Sequence, residues 1–336
     1  MKTAKRTTQH QRNHNLEDLL GHLNADLSRI GDASLAPDAV PDLPTVFLVG
    51  CARSGTTLAL QWLSSLGQFS WPTNFISRFY AAPWVGERVQ QMLTNPDYDF
   101  RGELTLDRSS DPDPFTSRLG KTHGLLAPNE FWYWWRRFLP EADSHFLGED
   151  QLAQIDRPRL RAELAAWQAV TRKPLAMKAL IMNWNLPWLA EAVPGSVFIH
   201  ITRDQFMHTQ SLLEARRDFH GTAETWYSFR PPQYDQLKNR APAEQVAGQI
   251  HHTDAAVVAG LARIAPERQL TVAYEDLCAN PLQVYEEIQK TMAGQGCPLP
   301  ASYQGPESFS ANRQVRLDET EQAAVHQAWQ AYGETR

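Results

Sequence analysis

Short apolar runs alternate with helical periodicities over most of this chain of 336 residues. Four runs predict buried strands: TVFLVG (45–50), PLAMKAL (174–180), SVFIHITRD (196–204) and QLTVAYEDL (269–277). Apolar residues spaced three and four apart predict helices at about 56–66, 186–195, 205–217 and 244–264, and another from about Pro281. Apolar strands that alternate with helices indicate an α/β fold, a three-layer sandwich whose central parallel sheet is covered on both faces.

Two parts of the chain depart from this alternation. At the N-terminus, residues 1–44 predict a disordered tail, a short helix that ends near Gly31, and a linker rich in Pro, Asp and Ala. The remainder, 45–336, is then a single domain. Within it, residues 71–171 are less regular, and NEFWYWWRRFL (129–139) concentrates aromatic rings. We interpret 71–171 as a largely helical, aromatic-rich insertion.

Composition limits the possible partners. Hydrophobic residues make up 42% and charged residues 21% of the chain, as in ordinary globular proteins. The net charge of -6 is not the excess of positive charge that is typical of nucleic-acid-binding proteins. A site for an anion must therefore be confined to a small part of the surface. The three cysteines are far apart and show no zinc or disulfide spacing, which suits a reducing compartment. No apolar run approaches the ~20 residues of a membrane span, and the N-terminus lacks the apolar core of a secretory signal. We expect a cytoplasmic protein; the pattern says nothing of its oligomeric state.

The stretch GCARSGTT (50–57) joins the first strand to the next helix. Gly50 and Gly55 keep the spacing of the phosphate-binding loop G-x-x-x-x-G-K-[ST], but Thr56 stands in the lysine position and the cation has moved to Arg53. Backbone N–H groups and the positive end of a helix dipole favour an anion at such a loop. Three hydroxyl groups add donors: Ser54, Thr56 and Thr57. The loop therefore predicts a site for a terminal phosphate, or else only a tight turn.

A second anion clamp is predicted at the end of the third strand. A nucleoside triphosphate site needs an acidic residue at the end of a neighbouring strand to hold magnesium. At the end of this strand, the basic residue Arg203 comes before Asp204. Ser211 follows eight residues later, a little over two helical turns, so it can face back toward Arg203. The plainer interpretation is an Arg203–Asp204 salt bridge and a solvated serine. Two clamps at the carboxyl edge of one parallel sheet favour a ligand with two phosphates.

These residues resemble a known family. GCARSGTTL is similar to the 5′-phosphosulfate loop, and ITRDQFMHTQSLL to the 3′-phosphate motif, of sulfotransferases that depend on PAPS (3′-phosphoadenosine 5′-phosphosulfate). YEDLCANP (274–281) weakly resembles the segment after their last core strand. The resemblance covers about 45–276 and is expected to continue through the C-terminal segment. It implies a P-loop-like fold and transfer of the sulfuryl group from PAPS to a hydroxyl of a small molecule, lipid or glycan. The product is 3′,5′-ADP, no metal is required, and 71–171 would bind the acceptor.

One departure concerns the loop cation. Many cytosolic members carry lysine where this chain has Arg53, so the match is closer to the arginine-bearing branch that includes tyrosylprotein sulfotransferases. The acceptor class cannot be transferred from either branch.

The resemblance also implies roles outside the loop. Lys178 resembles the lysine on the strand before the 3′-phosphate motif; with Arg53 it would stabilise charge on the departing oxygen, unless it is only a solvated strand-end lysine. Asn312 and Arg313, in SFSANRQVR (308–316), lie where related enzymes have a basic loop that closes over the 3′-phosphate. Their alternative is an ordinary solvated loop.

Two residues are candidates for the general base that takes the proton of the acceptor hydroxyl. His123 belongs to GKTHGLL, which resembles a lysine–threonine–histidine motif, but that motif normally precedes the 3′-phosphate strand, where this chain has MKAL. Glu130 is the rival, because other branches use a carboxylate and an aromatic setting raises its pKa. It could instead be a first-turn helix acid. We place His123 ahead of Glu130, with neither as a third possibility.

Two other functions fit the same motifs. One is a small-molecule kinase with a degenerate phosphate loop. The other is a nucleotide-binding protein without catalytic activity that has kept the fold.

Overall fold

The computed structural model describes residues 6–99, 101–103, 113–141 and 145–333. Its strands are β1 (Thr45–Val49), β2 (Ser117–Arg118), β3 (Lys121–Thr122), β4 (Leu175–Lys178), β5 (Val197–Thr202) and β6 (Gln269–Ala273). Four of them form a parallel sheet in the order β4-β1-β5-β6, and β2 and β3 pair as a separate antiparallel hairpin. The mixed α/β fold with a central parallel sheet confirms the prediction, and β1, the strand before the phosphate loop, lies inside the sheet.

Helices account for most of the remaining described residues. They are α1 (His14–Ser34), α2 (Thr56–Ser65), α3 (Pro83–Thr94), α4 (Trp132–Phe138), α5 (Glu149–Ala153), α6 (Arg157–Thr171), α7 (Leu186–Ala192), α8 (Gln205–His220), α9 (Tyr234–Leu237), α10 (Pro242–Leu261), α11 (Tyr274–Ala279), α12 (Pro281–Gly294) and α13 (Glu319–Gln330). Among them, no helix combines the length and apolar composition that a membrane span requires. The segment 71–171 contains α3 to α6 and the β2–β3 hairpin.

Alternate residues of β1 point to opposite faces of the sheet, and all of them are buried, so the sheet is covered on both faces here. Val46 and Leu48 pack with residues of α2 and α12 in one hydrophobic cluster. Phe47 and Val49 pack in another cluster with Trp167 of α6 and with three aromatic residues of α4: Trp134, Trp135 and Phe138. Helices therefore cover the sheet on both sides, and most rings of the aromatic segment belong to the core.

A buried carboxylate fixes α4 against α6. Glu163 is fully buried and accepts hydrogen bonds from Trp134 Nε1 at 2.7 Å, Arg137 at 2.9 Å and Arg159 at 3.0 Å. Burying this charge is tolerated because donors surround it. Since α4 begins two residues after Glu130, this network also constrains the position of that residue.

Three local expectations differ from the structure. The first helix continues past Gly31, which is buried instead; a Cβ there would lie 3.3 Å from the ring of Trp84, so close packing explains the glycine. The last strand ends at Ala273, and Tyr274 begins α11. Residues 6–10, within the segment predicted to be disordered, lie against the end of α8: His10 Nε2 is 3.0 Å from the carboxylate of Asp218.

Candidate functional site

The loop between β1 and α2 has a backbone that demands glycine. Gly50 has φ +130° and Gly55 has φ +108°, values in the left-handed region. A Cβ on Gly50 would lie 2.5 Å from the carbonyl oxygen of Ile201, and one on Gly55 would lie 2.5 Å from Cδ2 of Tyr274. Arg53 also has positive φ, at 71°. The loop thus folds tightly against the carboxyl ends of β5 and β6.

Two buried side chains hold the loop from behind. Asn183 accepts a hydrogen bond from the N–H of Gly50 at 3.1 Å and donates to the carbonyl of Gly50 at 2.8 Å. His208 Nε2 lies 2.8 Å from the carbonyl oxygen of Ala52. Because a carbonyl only accepts, the proton is on Nε2, and burial lowers the pKa of His208 to about 4, which keeps the ring neutral.

The predicted hydroxyl donors of the loop have different surroundings. The first N–H groups of a helix have no partner within the helix. Helix α2 begins after Gly55 without a side-chain cap, so these N–H groups are not satisfied by a cap either. Thr56 is buried and Thr57 accepts a hydrogen bond from Lys178 at 2.7 Å. Ser54 is fully buried, and its Oγ points back toward Gly50, where a Cβ would lie 3.3 Å from it. The open donors at the loop are thus the first N–H groups of α2 and the hydroxyl of Ser54, which has no hydrogen-bond partner among the described residues.

The second predicted clamp lies directly beside the loop. Arg203 donates to the carbonyl oxygen of Arg53 at 3.0 Å, and its guanidinium lies 4.7 Å from the centroid of the Tyr274 ring. Arg53 Nε in turn donates to Ser211 Oγ at 3.2 Å. Asp204 accepts instead from the N–H of Met207 at 2.9 Å and caps α8. The tip of β5 therefore presents Arg203 toward the loop, and the carboxylate that could have paired with it caps a helix.

The segment after α12 brings one of its two predicted residues to this clamp. The carbonyl of Asn312 accepts from Arg203 at 3.4 Å, and its N–H donates to Tyr274 Oη at 3.4 Å. Arg313 is exposed, and the structure gives it no hydrogen bond or ion pair within the described residues. Asn312 thus lies at the Arg203 clamp through its backbone.

Lys178 and Glu130 form an ion pair beside the loop. Lys178 Nζ lies 2.8 Å from Glu130 Oε1, and Trp132 Nε1 donates to Glu130 Oε2 at 2.6 Å. The Lys178 side chain is only 5% exposed, so it is not a solvated strand-end lysine. Burial by itself raises the pKa of Glu130, but Lys178, with help from Trp132 and Arg53, outweighs it and holds that pKa below the usual value. The carboxylate is therefore ionised.

His123 lies elsewhere on the surface. It follows β3, is exposed, and has no hydrogen bond or ion pair with Lys178, Glu130 or the loop among the described residues. The same hairpin instead brings Gly120 to the site: a Cβ on Gly120 would lie 3.1 Å from Thr57 Oγ1 and 3.7 Å from Glu130 Oε1. Of the motif GKTHGLL, Gly120 and not His123 thus lies at the site.

Sequence reasoning did not find every residue that shapes this site. Asn183, His208 and Gly120 carry no local signal, since each acts on residues distant in sequence. Tyr274 lay within a recognised segment but was assigned to a strand. Tyr227 was not considered; burial raises its pKa to about 12, and Glu130 acts in the same direction. Across the described ranges, no group of three His, Cys, Asp or Glu side chains is arranged to hold a metal ion.

Comparisons with known proteins identify the family and the fold of the chain. A family model described as "Sulfotransferase family" matches residues 44–293. Among solved structures, the sulfotransferase STF9 from Mycobacterium avium is similar with a TM-score of 0.52 and 14% identity, over 100% of this chain and 80% of that one. The sulfotransferase STF1 from Mycobacterium tuberculosis H37Rv gives a TM-score of 0.49 and 13% identity, over 91% and 76% of the respective chains. At these identities the first structure supports the fold alone. No curated protein sequence matches significantly.

Proposed function

Because the chain belongs to the sulfotransferase family, we propose that it transfers the sulfuryl group of PAPS to a hydroxyl of an acceptor and releases 3′,5′-ADP. One observation carries the proposal: Arg53 Nε and Ser211 Oγ are 3.2 Å apart, so the loop and the Arg203 clamp are contiguous. A ligand with phosphate groups at both ends of one ribose fits two adjacent cationic clamps. A nucleoside triphosphate would place all its phosphates in a single row.

The residues present fit PAPS as the donor. The uncapped N-terminus of α2 and Arg53 would hold the 5′-phosphosulfate. Arg203 and Ser211 would hold the 3′-phosphate, and Arg203 Nε is buried with no partner among the described residues, which leaves a donor for an anion. Asn312 and Arg313 would close this end of the site.

Sulfuryl transfer is an in-line displacement in which positioning and charge stabilisation do most of the work. We assign the general base to Glu130: its ionised carboxylate would accept the proton of the acceptor hydroxyl, whose oxygen forms the new bond to sulfur. Lys178 bonds both Glu130 and Thr57, the second residue of α2, and so lies between base and loop. As the bond from sulfur to the bridging oxygen breaks, Lys178 and Arg53 would stabilise the charge left on the phosphate.

Thermal denaturation with added ligand tests the proposal. A ligand that binds only the folded state stabilises it by about 2.7 kcal/mol at a concentration of a hundred times Kd. We expect 3′,5′-ADP to raise Tm in EDTA, and ATP with magnesium to raise it less at the same concentration. A larger shift with ATP and magnesium would instead indicate a kinase with a degenerate loop. Absence of any shift with 3′,5′-ADP would refute PAPS as the donor.

Transfer activity separates an enzyme from a catalytically silent binding protein. Labelled sulfate should move from PAPS to a hydroxyl acceptor, and Lys178→Ala should abolish this transfer because the departing charge loses its stabilising cation. Binding of 3′,5′-ADP with no transfer to any hydroxyl acceptor would favour the silent protein.

A further inference from the structure

The residue after Glu130 has a strained backbone. Phe131 has φ 58°, in the left-handed region, although its side chain is bulky and fully buried. Such a conformation persists only where the surrounding structure holds it. The ring of Phe131 lies parallel to that of Trp134, with centroids 5.7 Å apart, and edge-on to that of Trp167 at 5.5 Å. Because the ring is fixed in the core, the backbone turn at Phe131 decides where the side chain of Glu130 points.

The side chain of Asn129 stabilises this turn. Its Oδ1 accepts a hydrogen bond from the N–H of Phe131 at 2.8 Å. An asparagine that bonds the backbone two residues ahead in this way forms an Asx-turn. Phe131 stands just before the first residue of α4, where an N–H group has no partner within the helix. Asn129 supplies the acceptor that this N–H group needs.

Asn129 is itself fixed at two further points. Its N–H donates to the carbonyl oxygen of Pro72 at 2.7 Å, and its Nδ2 donates to Asn74 Oδ1 at 2.8 Å. In turn, Asn74 Nδ2 donates to the carbonyl oxygen of Gly124 at 2.9 Å and to Thr122 Oγ1 at 3.2 Å. A backbone N–H only donates and a carbonyl only accepts, so these partners fix the orientation of both side-chain amides. The two asparagines therefore tie the turn to strand β3, which contains Thr122.

From this network we infer that Asn129 is a positioning residue: through the turn at Phe131 it directs the carboxylate of Glu130 toward the phosphate loop. The inference rests on the proposed function, in which that carboxylate takes the proton of the acceptor hydroxyl. Lys178 and Trp132 bond the end of the Glu130 side chain, whereas Asn129 fixes the backbone from which it extends. A general base must lie within hydrogen-bond reach of its proton, and a displacement of about 1 Å lowers the rate about a hundredfold.

The titration of Glu130 tests this role without any acceptor. Burial raises the pKa of Glu130, but Lys178 outweighs burial and holds it below the usual value. In Asn129→Ala the carboxylate should move away from the ammonium group and toward solvent, so its pKa should rise toward the ordinary value. Carbon-13 NMR of protein labelled in its glutamate side chains follows the titration, and the signal that is missing in Glu130→Gln identifies the residue. An unchanged titration in folded Asn129→Ala would overturn the inference.

Two further variants accompany this measurement. Asn129→Ser keeps an acceptor two residues before Phe131 that bonds more weakly, so the pKa of Glu130 should rise less than in Asn129→Ala. The control is Asn95→Ala, because Asn95 Oδ1 accepts from the N–H of Asp97 at 3.0 Å and forms an Asx-turn of the same kind away from Glu130. It should leave the titration unchanged. Each variant should keep the Tm shift with 3′,5′-ADP, which shows that it folds. Should Asn129→Ala fail to fold, the absence of any rise in Asn129→Ser would overturn the inference.

Kinetics separate positioning from a general loss of structure. With a hydroxyl acceptor that the parent protein sulfates, Asn129→Ala should lower kcat about ten- to a hundredfold and change the affinity for 3′,5′-ADP by less than about twofold. In a Glu130→Gln background the same change should lower kcat by less than about twofold, because the base that Asn129 positions is already gone. Equal losses in the two backgrounds would contradict the inference and leave the proposed function intact. Failure of 3′,5′-ADP to stabilise the parent protein would refute the proposed function and the inference with it.

Discussion

Lys178 Nζ and Glu130 Oε1 lie 2.8 Å apart, although the two residues are separated by 48 positions in the chain. Strand β4 supplies the ammonium group, and Glu130, two residues before the start of α4, supplies the carboxylate. The pair joins the parallel sheet to the aromatic segment at the edge where the phosphate loop lies. It also places a carboxylate beside the loop, since Lys178 Nζ donates to both Glu130 and Thr57.

If Glu130 is the general base, Glu130→Gln should lower kcat by about 10²–10⁴-fold and leave the affinity for 3′,5′-ADP nearly unchanged. The amide keeps the shape of the side chain but cannot take a proton. The matched control is His123→Ala, which we expect to change kcat by less than about twofold. Steady-state kinetics with PAPS and a hydroxyl acceptor that the parent protein sulfates measures both. The reverse pattern would return the base to His123.

Arg203→Ala should weaken binding of 3′,5′-ADP far more than binding of 5′-AMP, because only the first ligand carries a 3′-phosphate. A lost charged hydrogen bond of this kind costs about 1.5–3 kcal/mol. Ser211→Ala should show the same selectivity with a smaller loss, since it removes a neutral donor. Calorimetric titration of both ligands measures the difference. Equal losses for the two ligands would mean that Arg203 does not hold the 3′-phosphate.

Gly55→Ala should reduce the affinity for 3′,5′-ADP at least about tenfold, because its Cβ would lie 2.5 Å from Tyr274 and force the loop to shift. Gly67→Ala is the control. Gly67 also has positive φ, at 72°, but a Cβ there meets nothing within 4 Å. That variant should lose about 1 kcal/mol of stability and keep its affinity. Similar affinities in the two variants would argue against a role of the loop backbone in binding.

His208 should make the protein less stable in mild acid. Burial lowers its folded pKa to about 4, whereas the unfolded value is about 6.5. Below the unfolded value the unfolded chain binds a proton that the folded chain excludes, so stability is complete above about pH 6.5 and falls as the pH drops toward 4. The contribution lost between pH 7.5 and 5 is about 2 kcal/mol.

Urea denaturation at the two pH values measures this loss. His208→Gln keeps a donor for Ala52 but does not titrate, so its stability should fall by less. His123→Gln, which alters an exposed histidine, should retain the full loss. His145, whose pKa burial also lowers to about 4, contributes in the same direction in every variant. An identical loss in His208→Gln and the parent protein would contradict the role of His208.

Much of the architecture follows from local sequence. The runs at β1, β4 and β5 are mainly apolar because each strand is buried on both faces, and the buried polar residues among them, such as Lys178 and His200, are exceptions. The glycine spacing of the loop and the Arg203–Ser211 interval are likewise local, because they concern a single turn or a single strand–helix unit. These patterns predicted the sheet, the loop and the proximity of Arg203 to it.

Tertiary structure alone decided the contacts between distant segments. Nothing near Glu130 in sequence indicates that Lys178 lies beside it, and nothing near His123 indicates that its hairpin turns Gly120 toward Thr57 instead. Asn183 and His208 hold the loop from other elements, so their roles depend on how the helices pack on the sheet. Sequence determined the elements and the chemistry that each carries, because hydrophobic periodicity and turn geometry are local. The choice among candidate side chains depended on packing between elements, which no single segment specifies.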